Sequence, residues 1–214
     1  MWRILLLILI LFSAVAFAQT QEQPQARKID EFGNVTNGDV KMRMQDLQIE
    51  LANNPASLGY VINYGTSKEI AVRIKQIQNT LDFLRFDRSR IMQVKGGFGG
   101  FIKTEFWIVP AGAENPQPKS TATKFDEFGN AGSGDIKARL DRFLIELQNN
   151  PNQQGFIINS GSTTEVAKRE KGIKIYLLIR KADLSKVKIL KGGADKNIKT
   201  ELWTDSENST QSKN

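Results

Sequence analysis

Apolar side chains recur at helical and then at strand spacing along the first half of the chain. One set falls every three or four residues, as on the buried face of a helix: Val40, Met44, Leu47 and Leu51. Asp39 precedes most of this face and suits a helix N-cap, while Pro55 is expected to end the helix. A mostly apolar run at 60–64, closed by Gly65, predicts a strand covered on both faces.

A second helix is predicted from about Ser67. Its buried stripe is Ile70, Ile74, Ile77, Leu81 and Leu84. Strands are expected at 27–32, 90–94 and 104–109, and the glycines between the last two indicate a hairpin. The order β-α-β-α-β-β predicts the α/β class, as an α+β sandwich with helices packed on one sheet.

The second half of the chain duplicates the first at an offset of 96 residues. The segment KIDEFGN at 28–34 recurs as KFDEFGN at 124–130, and NNP, KGG and IKTE recur in the same register. We name residues 27–109 repeat 1 and residues 123–205 repeat 2. Residues 110–122, rich in proline, are predicted to be a linker, and 19–26 and 206–214 to be disordered.

Residues 1–18 have the pattern of a secretory signal peptide. Arg3 supplies the positive start, an apolar run follows, and Ala16-Phe17-Ala18 fits the rule for cleavage after Ala18. The apolar stretch is short for a membrane-spanning helix, and no other segment of the sequence is suited to crossing a bilayer. We therefore expect a periplasmic or secreted protein with no transmembrane segment in the mature chain.

Cysteine and histidine are both absent from the chain. Without cysteine there is no disulfide, no zinc–thiolate site and no lipoprotein anchor. Without histidine there is no Ser-His-Asp triad and no imidazole ligand. These absences favour a non-enzymatic protein without a cofactor, and leave an enzyme built on carboxylates and lysine as the least favoured alternative.

The formal net charge is +7, and repeat 2 is rich in lysine. A basic surface favours anionic partners or serves only solubility. In an exported protein we expect an anionic envelope polymer, not nucleic acid, on the basic face of repeat 2. The acidic pairs Asp30-Glu31 and Asp126-Glu127 point to opposite faces of a strand, which favours a structural role over a catalytic one.

The order of elements resembles that of the OmpA-like domain of bacterial cell envelopes. The resemblance is closest at 73–91, where Arg73, Leu81 and the pair Arg90-Ile91 fall at the family's spacing. Repeat 2 shows the same spacing at Arg169, Leu177 and Lys186-Val187. The resemblance covers nearly the whole of each repeat and implies two tandem βαβαββ domains.

The resemblance also implies a ligand. Family members bind the diaminopimelate of peptidoglycan, with the helix arginine on its carboxylate and a loop aspartate on its ammonium group. Arg73 and Arg169 would then bind the carboxylate, but the aspartate has no counterpart here. Candidates beside each arginine are Thr66 and Glu69 in repeat 1, and Ser162 and Glu165 in repeat 2.

Each glutamate lies four residues before its arginine, so an ordinary i,i+4 ion pair is an equal alternative. The first hypothesis is thus an envelope module that contacts peptidoglycan or another envelope component through the second helix of each repeat. The alternative is a degenerate OmpA-like tandem that binds protein or acts as a spacer.

Overall fold

The computed structural model describes residues 23–206. The predicted signal peptide, residues 19–22 of the segment at 19–26 and nearly all of the predicted tail lie outside these residues. The strands are β1 (Arg27–Phe32), β2 (Leu58–Tyr64), β3 (Ile91–Gly97), β4 (Lys103–Val109), β5 (Ala122–Phe128), β6 (Gln154–Ser160), β7 (Val187–Gly193) and β8 (Lys199–Asp205). The α-helices are α1 (Asn37–Asn53), α2 (Ser67–Phe83), α3 (Ser133–Asn149) and α4 (Thr163–Ile179).

The structure is mixed α/β, as the sequence predicted, with one four-stranded sheet in each repeat. The strand order is β1-β4-β2-β3 in repeat 1 and β5-β8-β6-β7 in repeat 2. Strands β2 and β3 run parallel, and β4 runs antiparallel to both β1 and β2. The parallel pair requires a crossover, which α2 provides.

The predicted hairpin between the last two strands is wrong. Strand β4 lies between β1 and β2, whereas β3 occupies the edge of the sheet. The side chains explain this placement, because most of β4 is buried, with Phe106 fully so, while no residue of β3 is fully buried. The more apolar strand thus takes the central position and the more polar one the edge.

The start of α1 differs from the prediction by three residues. Thr36 is the N-cap, and Asp39 is the third helical residue, whose carboxylate accepts a hydrogen bond from the Thr36 backbone N–H at 3.0 Å. The Thr36 hydroxyl accepts one from the Asp39 N–H in return, which completes a capping box. The matching cap of α3 is Gly132, which has no side chain to accept such a bond.

Each repeat has its own apolar core between its helices and its sheet. In repeat 1 the predicted face of α1 is fully buried against β2 and β4. On α2, however, Ile74 and Leu84 are only half-buried, and the fully buried position of that turn is Arg73. The helix is therefore rotated relative to the predicted stripe, so that an arginine faces the core.

The face of each sheet opposite its helices is covered differently in the two repeats. In repeat 1 the linker lies over it, with the Lys119 backbone N–H donating to the Tyr64 hydroxyl at 3.1 Å. In repeat 2 the cover is Phe98, from the loop between β3 and β4 of repeat 1. Its ring meets Phe156 edge-on at 5.2 Å and Trp203 at 5.3 Å.

The glycine cluster at 96–100 therefore serves the contact between the repeats instead of a hairpin turn. Gly100 has a positive φ of 78°, and a Cβ there would collide with the Asp205 carboxylate of repeat 2. Ser120 also donates to the Phe98 carbonyl, which fixes the linker to the same loop. Within residues 23–206, no helix is both long and apolar enough to cross a membrane.

Candidate functional site

The arginine on the second helix is a core residue in repeat 1. Arg73 is only 2% exposed, and its guanidinium lies 5.0 Å from the centre of the Phe32 ring. Its two Nη atoms donate to the Thr104 hydroxyl at 3.0 Å and to the Gly33 carbonyl at 2.9 Å. Arg73 thereby joins α2 to β4 and to the end of β1, and no part of it is presented to a ligand.

A short polar network continues from Arg73 into the sheet. Thr104 donates in turn to the Asn63 side-chain carbonyl at 3.0 Å, and both residues are fully buried. No carboxylate in residues 23–206 pairs with Arg73, and its Nε atom has no hydrogen-bond partner there. Burial lowers the pKa of Arg73, since a guanidinium loses hydration in the core.

Repeat 2 repeats this network but leaves its arginine partly open to solvent. Arg169 donates to the Thr200 hydroxyl and to the Gly129 carbonyl, each at 3.0 Å, and Thr200 donates to Asn159 at 2.8 Å. Arg169 is half-buried, however, and lines a groove of about 510 Å³ between α3 and α4. We call this feature the α3–α4 groove.

A groove of about 430 Å³ also lies between α1 and α2 of repeat 1, but Arg73 does not line it. In repeat 2 the groove reaches Arg169 because smaller residues stand at its rim. At the matching place in repeat 1, the Gln76 side chain donates to Asn37 and thereby bridges α1 to α2. The corresponding residues of repeat 2 are Gly172 and Ser133, and both line the groove. A Cβ added at Gly172 would meet nothing within 4 Å, so the space above the helix is open.

The α3–α4 groove has cations on both of its helices and apolar residues at its floor. Lys137, Lys168 and Arg169 supply positive charge, while Leu140 and Ile173 belong to the buried core beneath. Lys168 stands where repeat 1 has Val72, so the extra charge is particular to repeat 2. Such a surface suits a ligand with a carboxylate or another anionic group beside an apolar part.

The other predicted site residues serve mainly as helix caps. Glu165 lines the groove, but its carboxylate accepts from the Ser162 hydroxyl at 2.5 Å and backbone N–H at 3.3 Å. Glu69 accepts from the backbone N–H of Thr66 at 2.8 Å, and Thr66 is only 2% exposed. These two pairs form capping boxes at the starts of α4 and α2.

The predicted i,i+4 ion pair between glutamate and arginine is therefore wrong in both repeats. Across the part of the chain that is described, neither Arg73 nor Arg169 contacts a carboxylate within ion-pair distance, because each glutamate turns back toward its cap. Of the predicted site residues, the structure brings Glu165 and Arg169 together along one groove. Thr66 and Arg73 are buried.

Sequence reasoning missed the residues that open the groove. Gly172 was the available signal, because an isolated glycine inside a helix costs about 1 kcal/mol relative to alanine and usually has a packing or functional reason. Two other lining residues gave no separate signal: Tyr176, one turn further along α4, and Lys137 on α3.

The acidic pairs at the start of each repeat have structural partners. Both carboxylate oxygens of Asp30 accept from Arg43 on α1, at 2.6 and 2.7 Å, and Asp126 is held by Arg139 at 2.8 Å. These ion pairs tie the first strand of each repeat to its first helix. Within residues 23–206, no three acidic side chains lie close enough together to bind a metal ion.

Neither a family model, nor a curated protein, nor a solved structure matches this chain. The class of the molecule is therefore defined by its own fold: a tandem of two four-stranded α/β repeats, with a groove between the two helices of repeat 2.

Proposed function

We propose that this protein is a non-enzymatic cell-envelope binding protein whose ligand site is the α3–α4 groove of repeat 2. The observation that supports the proposal is the accessible guanidinium of Arg169, flanked by Lys168, on the wall of this groove, whereas Arg73 does not line the corresponding groove of repeat 1. Only two of the five N–H groups of Arg169 are used within the described chain, which leaves donors for a bound carboxylate.

Peptidoglycan is the proposed ligand, through the carboxylate of its stem peptide. The resemblance of the repeat to OmpA-like domains supports this choice, as does the predicted export of the chain. The proposal is confined to repeat 2, because Arg73 is enclosed by its own repeat. Repeat 1 then acts as the support that covers the sheet of repeat 2 with Phe98.

Cosedimentation with purified peptidoglycan sacculi tests the proposal. Gly172→Gln should fill the groove with the side chain that repeat 1 carries at the same position. We expect it to weaken binding about tenfold, comparable with the loss of one charge-assisted hydrogen bond. Arg169→Ala should weaken binding to a similar extent.

Arg139→Ala provides the matched control. This arginine also lies on a helix of repeat 2, but it is held by Asp126 and Asp135 and does not line the groove. Its removal should leave sedimentation unchanged. If the native protein fails to sediment with sacculi, the spacer or protein-binding alternative replaces the proposal.

A further inference from the structure

A second cavity, of about 640 Å³, lies between the two repeats. One wall is the first turn of α2 in repeat 1, with Ser67 and Lys68. The other wall is formed by the ends of β6 and β7 and by the start of α4 in repeat 2. We call it the inter-repeat cavity. It shares no lining residue with the α3–α4 groove.

The charged residues that line the inter-repeat cavity are both lysines. Lys68 and Lys191 line it, one from each repeat, and none of its lining residues is acidic. The starts of α2 and α4 both face it, and the first N–H groups of a helix carry partial positive charge. The cavity therefore favours an anion, in contrast to the α3–α4 groove, which also contains a glutamate.

A buried donor without a partner marks the same cavity. Asn159 lines it and is 0% exposed, and its oxygen accepts from Thr200. Its Nδ2 atom has no hydrogen-bond partner in the described part of the chain. Leaving a buried N–H donor unpaired costs about 1–3 kcal/mol, which a ligand oxygen would offset.

The backbone beside this donor is shaped for close approach. Gly193 has a φ of +123°, and a Cβ there would lie 3.6 Å from the Cβ of Lys68. The end of β7 therefore lies directly against the first turn of α2 in the other repeat. This packing brings ammonium, hydroxyl and amide donors from two repeats to one place.

We propose that the inter-repeat cavity binds a phosphate group, held by Lys68 of repeat 1 and by Lys191 and Asn159 of repeat 2. Donors from several directions suit the tetrahedral arrangement of phosphate oxygens better than a planar carboxylate. Because both repeats contribute, bound phosphate would link them and stabilise their packing. The inference does not depend on the proposed peptidoglycan site.

Titration of the mature chain with inorganic phosphate, followed by NMR, tests the proposal. The side-chain amide signal of Asn159 should shift, while that of Asn63 stays in place. Asn63 is the internal control, because it is the matching residue of repeat 1, is equally buried and also lacks a partner for Nδ2. If both signals shift alike, or neither shifts, the proposal is wrong.

Lysine variants give a second measurement. The double variant Lys68→Ala, Lys191→Ala should bind phosphate at least roughly tenfold more weakly, since two charge-assisted contacts are lost. Lys75→Ala removes an exposed charge from the same helix outside the cavity and should bind as the native chain does. If the native chain, the double variant and Lys75→Ala bind phosphate with equal affinity, the proposal is wrong.

The source of the phosphate is distinguished in a further step. Titration with glycerol 3-phosphate probes a soluble phosphate ester, and cosedimentation with phosphatidylglycerol vesicles probes a lipid headgroup. Binding in either experiment supports a phosphate site if the double lysine variant no longer binds. Binding that survives in that variant would contradict it.

Discussion

Arg73 and Arg169 occupy the same place in the two repeats and make the same hydrogen bonds, yet only one can meet a ligand. Both donate to a threonine on the last strand and to a glycine carbonyl at the end of the first strand. The difference lies one turn further along the helix. In repeat 1 Gln76 bridges α2 to α1 and the groove there does not reach Arg73, whereas Gly172 leaves Arg169 on the wall of the groove in repeat 2.

The comparison shows that the hydrogen bonds of an arginine do not by themselves define its role. In repeat 1 the guanidinium stabilises the packing of a helix on a sheet. In repeat 2 the same framework holds a guanidinium at the wall of a groove, where its geometry is already fixed. A structural arginine can therefore come to line a groove when neighbouring side chains become smaller.

The largest expected effect is on stability. Arg73→Ala should lower the free energy of unfolding by about 3–4 kcal/mol, because it removes two charged hydrogen bonds and core packing. Arg169→Ala should lower the free energy of unfolding by only about 1–2 kcal/mol, since that side chain is partly solvated. Urea denaturation followed by Trp107 and Trp203 fluorescence measures both.

Arg73→Met is the control for lost packing, because it fills much of the same volume without a charge. It should be less destabilising than Arg73→Ala. Equal losses for Arg73→Ala and Arg169→Ala would remove the distinction between the two repeats.

The next largest effect concerns Phe98, which covers one face of the sheet of repeat 2. Phe98→Ala should lower the free energy of unfolding of repeat 2 by about 2–3 kcal/mol. The substitution removes a buried aromatic side chain that packs on Phe156 and Trp203. The readout is Trp203 fluorescence, which should also shift toward longer wavelength in the folded protein.

Phe101→Ala is the matched variant from the same loop. Phe101 contacts Phe156 at 5.2 Å but is 41% exposed, so its loss should be smaller. The assigned role of the loop is wrong if the folded-state signal of Trp203 is the same in all three proteins.

The third prediction concerns a substitution that gives repeat 1 the residue found at the equivalent position of repeat 2. Gln76→Gly should open the space above Arg73 and cost about 1 kcal/mol in helix stability. Arg73 should then become accessible, which an increase in the hydrogen-exchange rate of α2 and of the nearby strand ends can detect. Gly172→Gln, the reverse exchange, should slow exchange in α4, and the opposite pattern would contradict the explanation of the groove.

The smallest effect concerns the start of α3. Gly132→Ser should restore a side-chain acceptor opposite Asp135, as Thr36 provides for Asp39 in repeat 1. Replacing glycine by serine at an N-cap is worth only a few tenths of a kcal/mol. Thermal unfolding should show a slightly higher midpoint, and Gly132→Ala, which offers no side-chain acceptor at the same position, should not reproduce it.

Much of the fold could be predicted from the sequence, because apolar spacing reports which faces are buried. The predicted face of α1 is fully buried, and the buried strand at 60–64 lies within β2. The order of strands could not be predicted in the same way. Two strands that follow each other in sequence with glycines between them favour a hairpin. The central position of β4 depends instead on its pairing with both β1 and β2, which lie far from it in the sequence.

The candidate site was only partly predictable. The positions of Arg73 and Arg169 on the second helix followed from spacing, but their exposure depends on side chains from the first helix. Gln76 meets Asn37 across 39 positions of sequence, and a periodicity argument does not detect such a pair. The capping role of Glu69 and Glu165 was local and could have been predicted from Thr66 and Ser162 three residues earlier.

The aromatic loop of repeat 1 also gives the tandem a direction. Repeat 2 carries Ala194 and Asn197 where repeat 1 carries Phe98 and Phe101, so its own loop has no ring to insert into a following copy. Within residues 23–206, this aromatic contact therefore runs from the loop of repeat 1 to the sheet of repeat 2.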